Sequence, residues 1–416
     1  MRGLHLFLLL CVSLTVSASG PIKIGVISDL HFLSPRLASE SDALSAYESA
    51  TGRKIGEMHE VLEHVLNGLQ LEKIDLLLIC GDLTNHGEKE SHSDLTERLQ
   101  SVRQSGIKVA VVPGNHDINI PDAKSYTGAK PVPAEGISES DFVKLYAPFG
   151  YGDAFSRDSS SLSYAMTIDE TTWLLCLDTS RYGEYTRSSV SGGRILPQTL
   201  QWAVDLLRKA REKGVTVLGM MHHGLVEHMP YQALFFSDYL VDGWQQRAAT
   251  LADEGLRVVF TGHFHSNDIT RLISPGGNPI YDVETASLAG FPFAYRIIQL
   301  EEGKLSIDTR FVTSIPSNPD LETQSRQRAA ELTRKVARNR IRAIGIPLPA
   351  ETESALTELL VEMHLLHLRG DERPDEALVQ AIQNLAGLLD GTAGETDFQL
   401  DFPPADNRLV IELEAK

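Results

Sequence analysis

Cysteine is scarce, with three in 416 residues, and one of them, Cys11, lies inside an N-terminal apolar run. Cys80 and Cys176 each sit at or near the end of an apolar, strand-like run, so no disulfide framework is implied and a buried free thiol is the expectation for both. Long apolar runs are lacking too. The one candidate, Leu4 to Val16, is shorter than the ~20 residues that a bilayer span needs. It follows the basic Arg2 and precedes Ser17, Ala18, Ser19 and Gly20, the small residues at which an export signal is cut. Residues 1–20 are therefore read as a signal peptide and the mature chain as exported, periplasmic or extracellular. Membrane association follows only if that segment is retained or lipidated, and Leu10 stands before Cys11 where lipidation signals place a small residue.

Positive charge is also short: 38 Lys and Arg against 56 Asp and Glu give a net charge of −18. Such a surface repels long polyanions, which argues against a stable nucleic-acid partner. A small anionic substrate would need local positive charge, which bound metals can supply. No internal repeat or long low-complexity tract is visible.

At 42% hydrophobic residues the chain can bury the core of one large α/β domain and a smaller second one. Apolar runs at Ile22 to Ile27, Ile74 to Cys80 and Ile107 to Val112 read as buried strands. Between the first two, Met58, Val61, Leu62, Val65, Leu66 and Leu69 recur at helical spacing, and Leu95, Leu99 and Val102 do so before the third. Strand and helix alternate, as in a layered α/β sheet. Further strands are expected at Trp173 to Leu177, Val215 to Met221, Leu256 to Thr261 and Ile280 to Val283, with a helix from Thr199 to Lys213. The segment from Ile120 to Ile137 reads as a long loop over the active-site face. After about Ser314 the pattern becomes helical (Leu321 to Ala343, Glu351 to Leu368, Asp375 to Leu389) and closes with a short strand near Leu409 to Leu413.

Every polar block with chemical potential follows one of these strands, where open α/β sheets gather their ligands. Asp29 and His31 are two apart, so a locally extended backbone would aim both to one side and let them share a metal. Asp82 follows Gly81 with two oxygens able to bridge two cations. In the run Gly114, Asn115, His116, Asp117, the Asn carbonyl can ligate a cation and the His can protonate a leaving oxygen. Asp117 could orient His116 or cap the surface. His222 and His223 end a strand, and alternation lets one of them reach the metals. His263 and His265 repeat the two-apart geometry, with Phe264 turned toward the core. Any of these alone is an ordinary turn or surface pair; their conjunction behind five strands is what carries the functional reading. His59, His64, His86, His92 and His228 have no such partners and are assigned nothing. Arg181 and Tyr182 are substrate-contact candidates without a supporting motif.

The blocks DxH, GDxxN, GNHD, single His and GHxH, present as Asp29 to His31, Gly81 to Asn85, Gly114 to Asp117, His222 and Gly262 to His265, resemble those of the calcineurin-like metallophosphoesterases over residues 22–312. His31 and the local run Leu83 to Gly87 depart from the purple acid phosphatase and protein phosphatase branches. The best resemblance is to bacterial class III cyclic-nucleotide phosphodiesterase-like members. It implies a four-layer α/β/β/α sandwich (residues 21–314) with a smaller helical C-terminal domain (315–416). One metal would be held by Asp29, His31, Asp82 and His265, the other by Asp82, Asn115, His222 and His263, with Asp82 bridging; choosing His222 over His223 rests on the resemblance. N and O ligands fit two divalent ions, Mn or Fe first and Zn as an alternative. The implied function is hydrolysis of small phosphodiesters, cyclic nucleotides a candidate class, by a hydroxide shared between the metals, with His116 as acid. Alternatives are an exported phosphomonoesterase, a phospholipid head-group hydrolase and, outside enzymes, a metal-binding scaffold. Oligomeric state is not legible.

Overall fold

The computed structural model describes residues 20–343, 348–381, 383 and 400–413. The signal-peptide reading and the second half of the helix expected from Asp375 to Leu389 lie outside them.

In chain order the strands are β1 (Ile22–Ile27), β2 (Leu76–Ile79), β3 (Lys108–Val111), β4 (Lys124–Ser125), β5 (Val132–Pro133), β6 (Ala154–Arg157), β7 (Tyr164–Asp169), β8 (Thr172–Cys176), β9 (Thr216–Met220), β10 (Val258–Thr261), β11 (Asp268–Ile273), β12 (Pro279–Glu284), β13 (Ala294–Glu301), β14 (Lys304–Phe311) and β15 (Arg408–Glu412). The α-helices are α1 (Asp42–Thr51), α2 (Ile55–Leu71), α3 (Lys89–Gln104), α4 (Glu139–Leu145), α5 (Pro197–Lys213), α6 (Gln232–Phe235), α7 (Trp244–Asp253), α8 (Leu321–Ala343) and α9 (Ala350–Arg369). None of the described helices is long and apolar enough to cross a membrane.

One sheet runs β15-β14-β13-β1-β2-β3 and the other β11-β12-β10-β9-β8-β7-β6. The strands β1, β2 and β3 are parallel neighbours, as are β8, β9 and β10. Ile24, Leu76 and Leu78 of the first sheet share one buried cluster with Met166, Leu218 and Phe260 of the second, so the sheets stack face to face. That cluster continues to Val61, Leu66 and Leu69 of α2 and to Leu95 and Leu99 of α3, which cover the first sheet's outer face. Leu206, Leu207 and Leu251 of α5 and α7 pack with Leu175 and Val259 on the second sheet's outer face. The order helix, sheet, sheet, helix is the expected four-layer sandwich.

The apolar spacing of α2 predicts its buried face: Met58, Val61, Leu62, Val65, Leu66 and Leu69 are all inside. Cys80 and Cys176 are buried free thiols, as expected. The Ile120 to Ile137 segment carries the short β4-β5 hairpin. The hairpin of β13 and β14 went unread, although the Glu302-Gly303 turn between them, with both residues left-handed, is a usual hairpin signal. Within the C-terminal region, β15 does not stay with the helices but pairs antiparallel with β14 and forms the edge of the first sheet.

Candidate dinuclear metal centre

The loops beyond β1, β2, β3, β9 and β10 are sewn together before any side chain is considered. Asp29 N–H donates to Gly81 O at 3.1 Å, His31 N–H to Asp82 O at 2.9 Å and Gly262 N–H to His222 O at 3.0 Å. A Cβ at Gly114 would strike Asp82, and one at Gly262 would strike Ser28 and Asp29. Glycine at those two positions lets the loops approach this closely.

Convergence of the paired residues has a different cause from the one expected. Asp29 (φ 51°), His31 (40°), Asp82 (47°), His263 (74°) and His265 (65°) all adopt the left-handed region rather than an extended backbone. For residues other than glycine this conformation costs about 1–3 kcal/mol each, and it concentrates where a site over-determines the chain. Each two-apart pair reaches one side through local reversals.

Ligand atoms of Asp29, His31, Asp82 and His265 lie within 4.8 Å of one another. His265 Nε2 is 3.2 Å from Asp29 Oδ1 and 3.2 Å from His31 Nε2. Asp82 faces two ways: Oδ2 is 3.7 Å from His31 Nε2, and Oδ1 is 3.4 Å from His222 Nε2. His222 Nε2 also meets Asn115 Oδ1 at 3.1 Å, while its Nδ1 donates to Cys80 O at 2.8 Å. His263 Nε2 donates to Asp238 O at 3.1 Å, which leaves the Nδ1 lone pair for a ligand. Asp29 Oδ1 is buried without a hydrogen-bond partner. Crowded imidazole and carboxylate donors around an orphaned oxygen fit a divalent cation held by N and O, and a second group, His222, His223 and His263, lies beside it.

Alternation does not separate His222 from His223. β9 ends at Met220, so strand geometry no longer applies, and the two rings sit 4.9 Å apart. His223 Nδ1 contacts Thr179 Oγ1 at 2.7 Å and its Nε2 donates to Ser191 O at 2.9 Å, while His222, His223 and His263 together place ligand atoms within 4.8 Å of one another. Asp117 neither orients the His116 ring nor caps the surface. It is fully buried and accepts the N–H groups of Leu83, Thr84 and Gly114 at 3.1, 2.9 and 2.7 Å, tying the loop after β3 to the loop after β2. Phe264 turns away from the sandwich core and stacks with Tyr239 and His367. Arg181 pairs with Glu184, and Tyr182 donates to Asp178 at 2.7 Å, so both substrate-contact candidates are occupied.

His116 donates its backbone N–H to Asp82 Oδ1 at 2.9 Å, and its ring stands 5.2 Å from that of His31. Two neighbours escaped the motif reading. The His86 ring lies 4.9 Å from His116. Arg53, just beyond α1, acts electrostatically on His31, His86 and His116, and among the described residues no carboxylate pairs with its guanidinium. An isolated arginine after a helix carries no motif to find.

Burial pulls His222 down, but the Asp82 carboxylate outweighs it and holds the imidazole at about 9. Burial takes His31 well below its ordinary value and His263 to about 3. Asp82 stays well below the usual carboxylate range because His222 and His116 together overcome its burial. Near neutral pH, His222 thus carries a proton that a cation must displace.

Beside the site opens a cavity of about 550 Å³. Phe236, Phe264, Leu332 and Met363 supply apolar wall, and His265 and Arg53 bring it to the metal ligands. Leu332 and Met363 come from α8 and α9, so the C-terminal helices form one side.

Residues 22–267 match the calcineurin-like phosphoesterase family. A 3',5'-cyclic-nucleotide phosphodiesterase of Nostoc sp. is 38% identical over 100 residues, 24% of this chain and 32% of that protein. The chain therefore spans about a third of the length of that curated relative. A dimetal phosphatase from Danio rerio superposes with a TM-score of 0.47 at 14% identity, covering 70% of this chain and 96% of that one. Purple acid phosphatase PPD1 from yellow lupin seeds does so with a TM-score of 0.44 at 12% identity, covering 70% and 52%. With the family's pattern matched over more than half its length, this chain belongs to the calcineurin-like phosphoesterases.

Proposed function

We propose that the protein is a metal-dependent phosphodiesterase for small phosphodiesters, with Asp29, His31, Asp82 and His265 holding one cation and Asp82, Asn115, His222 and His263 the other. The observation that carries the reading is the division of the Asp82 carboxylate, one oxygen toward His31 and the other toward His222. Two bound divalent cations, Mn or Fe first, would supply an ionised water and positive charge for the phosphate oxygens. His222 gives up its proton and is aimed by Cys80 O; His116 stands over the same carboxylate, placed to protonate the leaving alkoxide. Arg53 supplies fixed positive charge at the cavity mouth of an otherwise acidic protein. The partial identity to a cyclic-nucleotide phosphodiesterase supports the diester class and makes cyclic nucleotides its first candidates.

The cavity favours a second reading, a diester whose leaving group is apolar, as in a phospholipid head-group hydrolase. A terminal phosphate on a compact polar group would leave the Phe236, Phe264, Leu332 and Met363 surface unused. Export of the chain belongs to the same proposal and rests on the Leu4 to Val16 run and the small residues after it. N-terminal sequencing of protein recovered from outside the cytoplasm tests it; an intact Met1 there would refute cleavage.

The deciding experiment compares matched aryl phosphodiester, aryl phosphomonoester and short-chain lipid diester substrates, using protein stripped of metal and reloaded with Mn. Metal-dependent diester turnover supports the proposal, and faster lipid diester turnover selects the second reading. Monoester preference, or metal binding with no turnover of any of them, overturns it.

A further inference from the structure

The chain holds another buried acidic cluster, away from the catalytic ligands. Asp268 opens β11, Glu372 follows α9, and Asp401 and Asp406 lie on the approach to β15, so three segments distant in sequence meet there. Asp268, Glu372 and Asp406 are buried, and one ligand atom from each of these three and from Asp401 falls within 4.8 Å of all the others. Oxygens that bind one Ca²⁺ at 2.3–2.6 Å can stand no more than about 5 Å apart, so the spacing suits a single ion.

The hydrogen bonds leave this cluster incomplete. Asp268 Oδ1 accepts from His228 Nδ1 at 2.7 Å and Thr270 Oγ1 at 3.0 Å, but its fully buried Oδ2 accepts no hydrogen bond and faces His367 Nδ1 only at 3.7 Å. Glu372 Oε1 is held by His367 Nδ1 at 2.6 Å, and Oε2 has none. Asp401 Oδ1 is orphaned as well. Asp406 is fixed by the backbone N–H groups of Ile269 and Asp371. The nearby guanidinium of Arg296, fully buried, adds positive charge beside Asp406 and Asp268 but donates no hydrogen bond to their carboxylates. It donates instead to the carbonyls of Glu284, Asp406 and Asp268 and to the Thr285 and Thr309 hydroxyls. Buried carboxylate oxygens without donors are costly, and Asp268 and Glu372 are each anchored by one oxygen with the other left open, as a cation requires. Burial and the neighbouring carboxylates push Asp406 to about 9 and Asp401 to about 7, although His228 and His367 pair with Asp268 and Glu372.

We propose that Asp268, Glu372, Asp401 and Asp406 form a separate site for a hard divalent cation, Ca²⁺ by its carboxylate ligands, that clamps the C-terminal segments onto β11. His367 is a positioning residue for Glu372, because its Nδ1 is engaged with Oε1. Since α9 also walls the cavity, the clamp fixes one side of the substrate space without entering the reaction.

The test titrates Ca²⁺ into full-length protein whose catalytic centre is already loaded with Mn, by calorimetry and thermal melting, beside Glu372→Gln and Asp401→Asn. The parent is expected to bind one Ca²⁺ per chain with a rise in melting temperature. Either variant should bind it at least roughly tenfold more weakly, the usual scale for a lost metal-site group, while Mn content stays unchanged. If Glu372→Gln does not fold, Asp401→Asn, on a half-buried side chain, still decides. Absence of Ca²⁺ binding to the Mn-loaded parent, or equal affinity in a folded variant, overturns the assignment.

Discussion

The Asp82 carboxylate and the His222 imidazole stand 3.4 Å apart, Oδ1 to Nε2, while the other carboxylate oxygen is turned to His31. In the proposed centre a residue so placed would serve both cations. Asp82→Ala should therefore lose both metals together and depress turnover by roughly 10³-fold or more, the scale of removing a Lewis-acid centre. Metal analysis of the purified variant checks this: one cation retained at full occupancy would mean that Asp82 does not bridge.

The same contact makes metal uptake a proton exchange. His222 sits at about 9 and must lose its proton to ligate, whereas His263, at about 3, is already neutral. Mn affinity should weaken about tenfold for each pH unit below that value, until other ligands protonate. Uptake at pH 7.5 should release about two protons, one from His222 and one from the water that the cations ionise, measurable in weakly buffered solution with an indicator dye. No release would place the proton elsewhere.

His116 is predicted to matter in proportion to how poor the leaving group is. His116→Ala should lower kcat by ~10²–10⁴ for an alkyl diester and much less for a nitrophenyl diester, which needs no acid. Metal content should not change, because the ring is not among the proposed ligands. Equal losses on both substrates would show a positioning role instead.

Arg53 lacks a carboxylate partner and lines the cavity beside His265. If it holds the phosphate, Arg53→Ala should raise KM by roughly 10–100-fold, the worth of a charged hydrogen bond. Arg53→Lys should restore only part of that, since a planar fork is replaced by a point charge. Steady-state kinetics at saturating Mn separate this from a metal effect.

Asp117→Ala should destabilise the fold by about 2–4 kcal/mol, because the buried N–H groups of Leu83, Thr84 and Gly114 lose their acceptor. Chemical denaturation of the metal-free protein measures it. A loss of activity with unchanged stability would point to a catalytic part for Asp117.

The strands β1, β2, β3, β9 and β10 were legible because buried parallel strands read as uninterrupted apolar runs. Their polar ends gave away the site for the same reason: a carboxylate or imidazole directly after such a run has nowhere to go but the sheet's carboxyl edge. Weaker patterns hid the antiparallel strands β11, β13 and β14, in which polar residues interrupt the apolar ones, as at Asp268, Arg296 and Asp308.

Local sequence thus determined which residue types stand at the ends of the strands, and with them the N and O ligand set, the layered fold and the helical character of the C-terminal region. Tertiary structure alone decided the rest. Left-handed backbone at Asp29, His31, Asp82, His263 and His265 is imposed by loops locked across strands, not by the dipeptides themselves. The partners of His223, Thr179 and Ser191, stand more than thirty residues away in sequence. The return of β15 to the first sheet, the placing of Arg53 by His116 and the meeting of Asp268 with Glu372, Asp401 and Asp406 likewise depend on contacts between distant segments. Periodicity reports only which face of an element is buried; it carries no information about what will be packed against that face.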